Sequence, residues 1–144
     1  FTFQPASPCN VIDGSDPCRR AGGYTATCRP NLVGDPMLSS DERSAARWIN
    51  TLAFRKTAPG EFGSTPRNAI RGPGLTNVDL SLSKRIALDS VKRGMNVDVR
   101  IDVFNALNNV NLGVPNLNFA SAAFGRIGSA LDAREFQFGF KIGF

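Results

Sequence analysis

The last eleven residues, Arg134-Glu135-Phe136-Gln137-Phe138-Gly139-Phe140-Lys141-Ile142-Gly143-Phe144, alternate polar and apolar side chains without a break. A period of two dictates a strand, because successive side chains leave a strand on opposite faces. One face carries Phe136, Phe138, Phe140, Ile142 and Phe144, and the other carries Glu135, Gln137, Gly139, Lys141 and Gly143. The first face needs a thick protein core or lipid; the second needs water. Alternation of this kind over about ten residues is the mark of a strand that crosses a membrane with its apolar side outward.

Two earlier segments repeat the pattern. Across 77–88, Val78, Leu80, Leu82, Ile86 and Leu88 share a register with Lys84, opposite Asn77, Asp79, Ser81, Ser83, Arg85 and Ala87. Across 95–104, Met95, Val97, Val99, Ile101 and Val103 lie opposite Asn96, Asp98, Arg100 and Asp102. The chain is therefore expected to be all-β. Residues 76–144 should form a long-stranded antiparallel sheet (77–88, 95–104, 134–144) that is part of an outer-membrane-type barrel. A membrane-spanning strand needs about 9–11 residues, whereas strands of soluble sandwiches typically have about five or six. Lys84 is costly on a lipid face unless it snorkels, or unless a bulge or an early strand end near Ser83 removes it. Asp98, Arg100 and Asp102 read as a cross-strand ladder with Ser81, Ser83 and Arg85 that solvates the opposite face.

The connections fit this topology. Residues 1–5 read as the end of a strand, 6–75 as a long extracellular loop region, 89–94 as a short turn and 105–131 as a longer loop. In outer-membrane barrels short turns face the periplasm and long loops face outward. Within the long region, Ala45, Trp48, Ile49 and Leu52 fall at helical spacing, and Ser39 with Glu42 forms a capping-box pattern. A short helix over about 39–52 is predicted.

Composition narrows the chemistry. The net charge is +5, but no Lys/Arg run interleaves with aromatics, so the charge reads as ordinary surface and nucleic acid is not an expected partner. The absence of His removes the commonest general base and the commonest metal ligand. No catalytic, cofactor-binding or metal-ligating residue is predicted, and the chain is not expected to be an enzyme. Asp13 and Asp16 read as turn residues with solvated carboxylates rather than a cation site. Arg71-Gly72-Pro73-Gly74 reads as a turn leading into a strand. Cys9, Cys18 and Cys28 are spaced too widely for a compact zinc pattern. One disulfide is expected, Cys9 with Cys18, leaving Cys28 over. Tyr24 and Trp48 fall in loops, so Phe is the aromatic of the strands. The opening Phe1-Thr2-Phe3-Gln4, already alternating, suggests a C-terminal piece of a longer precursor.

A series of blocks resembles the large TonB-dependent outer-membrane receptors that begin with a carboxypeptidase-regulatory-like extension. They are Arg29-Pro30-Asn31-Leu32-Val33-Gly34-Asp35-Pro36, Trp48-Ile49-Asn50 with Ala53-Phe54, and Pro59-Gly60-Glu61-Phe62-Gly63. Then come Arg67 to Gly74, Asp79-Leu80-Ser81-Leu82-Ser83-Lys84, Phe104-Asn105-Ala106-Leu107-Asn108, Phe124-Gly125-Arg126-Ile127 and the terminal Phe strand. They follow the family's order over roughly 29–144; the Cys-bearing segment 9–28 lies outside the pattern. The resemblance implies a barrel of about 22 strands with a plug, placed in the bacterial outer membrane. It also implies that Phe136, Phe138, Phe140, Ile142 and Phe144 form the signal read by the barrel-assembly machinery. Partners would then be outer-membrane lipid and strands from the rest of the barrel or from neighbouring copies. The competing reading is a structural subunit of an extracellular filament or oligomer, built by strand pairing between chains.

Overall fold

Where alternation is purest, strands form. The structure, a computed structural model, describes residues 1–15, 17–18, 28–88, 90 and 93–144. In chain order the strands are β1 (Thr2–Gln4), β2 (Pro8–Cys9), β3 (Asn31–Leu32), β4 (Phe54–Arg55), β5 (Ile70–Arg71), β6 (Leu75–Asn77), β7 (Leu80–Ala87), β8 (Asn96–Phe104) and β9 (Glu135–Gly143). They are distributed over two units. The first comprises Phe1–Phe3, Leu75–Asn111 and Leu131–Phe144; the second comprises Gln4–Gly74 and Leu112–Ala130.

The first unit is built on an antiparallel sheet in the order β7-β8-β9, so β8 is paired on both sides. β1 pairs with β6 beside it in the same unit. The strand expected over 77–88 begins later, because Asp79 interrupts it. The Asp79 carboxylate accepts hydrogen bonds from Asn77 Nδ2 at 3.0 Å and from the Asn105 backbone N–H at 3.0 Å. A short polar side chain that satisfies nearby donors offers the backbone an alternative to the ladder. Residues 75–77 pair with β1 instead. At the other end of β7, the Leu88 N–H donates to the Met95 carbonyl at 2.8 Å, and Gly94 turns the chain at φ +82°. Of the turn expected over 89–94, residues 89, 91 and 92 lie outside the described residues.

β8 ends at Asn105, in the left-handed region at φ +48°. Its buried side chain donates to the carbonyls of Asn109 (3.0 Å) and Asp132 (3.1 Å) and accepts from the Asn109 N–H (3.0 Å). Asn tolerates this conformation because its side chain bonds locally. Asn111, also buried, accepts from Thr76 N–H at 2.9 Å and donates to Thr76 O at 3.0 Å.

The second unit is more than the loop expected over 6–75. Val11, Ile49, Ala53, Phe54 and Ile70 form a buried core, with Leu32, Met37, Trp48, Leu117, Phe119 and Phe124 packed on it. Two short antiparallel pairs, β2 with β5 and β3 with β4, frame it. Phe124 meets Phe54 and Phe119 edge to face, at 5.3 and 5.5 Å between ring centroids.

Three expectations are corrected here. The helix over 39–52 does not form; single 3-10 turns occupy Ser40–Glu42 and Thr51–Ala53. Between them Ser44 and Arg47 close a tight turn on each other, and Ile49 bridges to Met37. Ile49 is fully buried while Leu52 is 73% exposed, so the supposed apolar stripe has no common face. The disulfide joins Cys18 to Cys28, whose Cα atoms are 6.0 Å apart, a separation that suits the bond. Cys9 is the free thiol. It sits in β2 opposite Ile70, against the core, and its Sγ donates to the Ser7 carbonyl at 3.4 Å. Asp13 is not solvated but buried, with Oδ1 accepting from the Ser15 N–H and hydroxyl at 3.0 and 2.6 Å. The turn reading at Asp13 thus holds without its solvent; Asp16 and Tyr24 lie outside the described residues.

Candidate functional site

The register of the β7-β8-β9 sheet assembles the sequence pattern into two continuous faces. On one face the rows are Leu80–Val103–Phe136, Leu82–Ile101–Phe138, Lys84–Val99–Phe140 and Ile86–Val97–Ile142. Strand residues directly opposite one another on one face touch, so each row packs as a unit. The outer side chains remain open: Leu82 is 70% exposed, Phe138 61% and Phe140 73%. Soluble proteins rarely leave a contiguous apolar patch of this kind uncovered. Phe144, one step beyond β9 in the same register, is exposed as well. The five residues singled out from sequence therefore share one face.

Lys84 is the polar exception. β7 runs unbroken from Leu80 to Ala87, so neither a bulge nor an early end near Ser83 takes Lys84 off the apolar face. It is paired with Val99 and exposed, on the outer strand, where its alkyl stem can lie on apolar surface while its ammonium reaches toward water.

The opposite face is a polar ladder. Its rows are Ser81–Asp102–Gln137, Ser83–Arg100–Gly139 and Arg85–Asp98–Lys141. Arg85 forks onto Asp98, with Nε to Oδ1 at 2.6 Å and Nη2 to Oδ2 at 3.0 Å. Arg100 holds Asp102 along the same strand, with Nε 2.7 Å from Oδ2. The arrangement divides two media, one apolar and one aqueous.

Strand dimensions agree with that role. Nine residues at about 3.3 Å each make a strand of about 30 Å. A tilt of about 40° projects this onto roughly 23 Å, close to the ~25 Å apolar band of outer-membrane barrels. Among the described residues no helix is long and apolar enough to cross a membrane, and crossing by strands needs none.

Sequence reasoning assigned no role to Asn105 and Asn111, whose side chains bind the segments at the ends of β6, β8 and β9. The signal for them was the density of Asn over 105–111, a residue type that favours left-handed turns and local side-chain bonds. The family model for an outer membrane beta barrel domain matches residues 1–137. No curated protein and no solved structure matches the chain.

Proposed function

This chain belongs to the outer membrane β-barrel domain family, and from that membership we propose that it supplies wall strands and outer loops of a TonB-dependent transporter. Its place is the bacterial outer membrane, as a barrel segment. The observation that carries the reading is the unbroken apolar face of β7, β8 and β9, backed by a solvated ladder. The transporter step is supported by the ordered run of receptor-like blocks between Arg29 and Phe144. It is also supported by the presence of a second unit with its own core, contributed by Gln4–Gly74 and Leu112–Ala130. A folded body of that kind suits capture of a solute.

In this reading the chain is not an enzyme and needs no cofactor. Three long strands cannot close a barrel, for which about eight is the practical minimum. An open sheet edge in lipid leaves backbone groups unsatisfied at several kcal/mol each. The outer edges of β7 and β9 therefore take partner strands from the rest of the barrel or from neighbouring copies. Phe136, Phe138, Phe140, Ile142 and Phe144 serve as the signal that the barrel-assembly machinery reads. The test is site-specific photocrosslinking, in energised cells, of the native polypeptide that carries this chain. An adduct with TonB that disappears when the proton gradient is collapsed is the expected result. A correctly inserted barrel that never crosslinks to TonB would retire the transporter and leave the wall.

A further inference from the structure

The second unit holds a cleft that the wall reading does not use. Its two sides come from turns far apart in sequence, 44–47 and 121–126. They are clamped by backbone hydrogen bonds from Trp48 N–H to Gly125 O (2.9 Å) and from Ile127 N–H to Ala45 O (2.7 Å). Gly125 makes the approach possible. It adopts φ +80°, and a Cβ there would meet Ile49 Cγ1 at 2.9 Å. Only glycine takes that conformation and that proximity without strain.

The resulting cleft has a volume of about 450 Å³, within the range of small-molecule sites. Phe119 and Phe124, held edge to face, supply an apolar wall, and Thr51 and Ser121 supply hydroxyls. Arg47 and Arg126 also line it, and no carboxylate does. Both arginines are exposed, and among the described residues neither guanidinium has a carboxylate or carbonyl partner. Two other arginines of this unit are occupied, Arg43 donating to Leu38 O and Arg29 to Thr65 O. Two unoccupied guanidiniums beside one apolar wall match an oxyanion, which their planar forks recognise in bidentate fashion.

We propose that this cleft binds a small molecule carrying a carboxylate or phosphate on a flat apolar ring. The oxyanion takes the two guanidiniums and the ring lies against Phe119 and Phe124. The site is complete within the second unit, so it stands whether or not the barrel is a transporter.

Calorimetric titration of the full chain in detergent tests this, with phenyl phosphate, inorganic phosphate and benzyl alcohol as probes. Phenyl phosphate should bind saturably. Inorganic phosphate, lacking the ring, should bind about three- to tenfold more weakly. Benzyl alcohol, lacking the charge, should not bind measurably. The double variant Arg47→Gln/Arg126→Gln should weaken phenyl phosphate by about tenfold or more. Arg67→Gln, which removes one exposed charge elsewhere in the same unit, should leave it unchanged. Equal binding in the double variant, equal weakening by Arg67→Gln, or no saturable binding of phenyl phosphate would each overturn the site. Equal affinity for the two phosphates would overturn the role of the rings.

Discussion

Phe138 occupies an inner row of the apolar face, level with Leu82 and Ile101, and 61% of it is open. Were this face a protein core, its phenyl would be enclosed by the chain. Phe138→Arg should cost about 2–4 kcal/mol if this row lies near the bilayer midplane. Outer-membrane fractionation and heat-modifiable gel mobility should show the inserted fraction collapse, while Phe138→Leu should leave it intact. Individual side chains were unequally legible in the sequence. The facing of Phe136, Phe138, Phe140 and Ile142 follows from parity alone, since a strand allows no other outcome. The cysteine pairing was not legible, because spacing says nothing about which thiols a fold brings to 6 Å. Cys9 is drawn into β2 and the core, which leaves Cys18 and Cys28 to each other. Asp13 looked like a turn residue that keeps its water, yet the fold encloses it and supplies hydrogen bonds from Ser15 instead.

At the scale of elements, period two proved a better guide than period 3.6. β7, β8 and β9 lie inside the segments where alternation is strict, and their ends are trimmed by side chains that compete for backbone donors. Asp79 does this before β7, and Asn108 Oδ1 takes the Arg134 N–H at 3.1 Å just before β9. The apolar spacing of Ala45, Trp48, Ile49 and Leu52 pointed to a helix, but four positions are a thin pattern and tertiary pairing overrode it. Ser39 does reach Glu42, Oγ to Oε2 at 2.9 Å, yet this closes only one 3-10 turn. The sheet itself depends on its middle strand. β8 is paired along both edges from Asn96 to Val103. Val99→Pro removes a backbone donor and forces its own ring into that ladder, which interior strands do not tolerate. Loss of the folded, heat-modifiable band is the expected outcome, with Val99→Ala as the mild control that retains it.

On the scale of the whole molecule, two units with different solvents share one chain. The first exposes an apolar face, whereas the second has a conventional buried core and carries the Cys18–Cys28 bond. Closing a loop of that size, with the cysteines 10 residues apart, stabilises by about 2–3 kcal/mol. Trp48 is the only tryptophan and packs on that core, so its fluorescence reports on the second unit alone. Reductant should lower the denaturation midpoint of the Trp48 signal and leave the heat-modifiable mobility of the sheet unchanged. Cys28→Ser should mimic the reductant and Cys9→Ser should not; the reverse would move the bond. The existence of a separate core was not legible, because its residues come from 11 to 70 in short runs with no shared period. The polar ladder carries a further consequence. Arg85, Arg100 and Lys141 share their face with Asp98, Asp102 and Glu135, so cationic and anionic side chains are equal in number. Where such a wall lines an aqueous passage, ions of either sign meet a mosaic that cancels beyond roughly one Debye length, about 8 Å in physiological salt. This stretch of wall is then a poor charge filter, and sorting of permeants falls to bore width and to the loops.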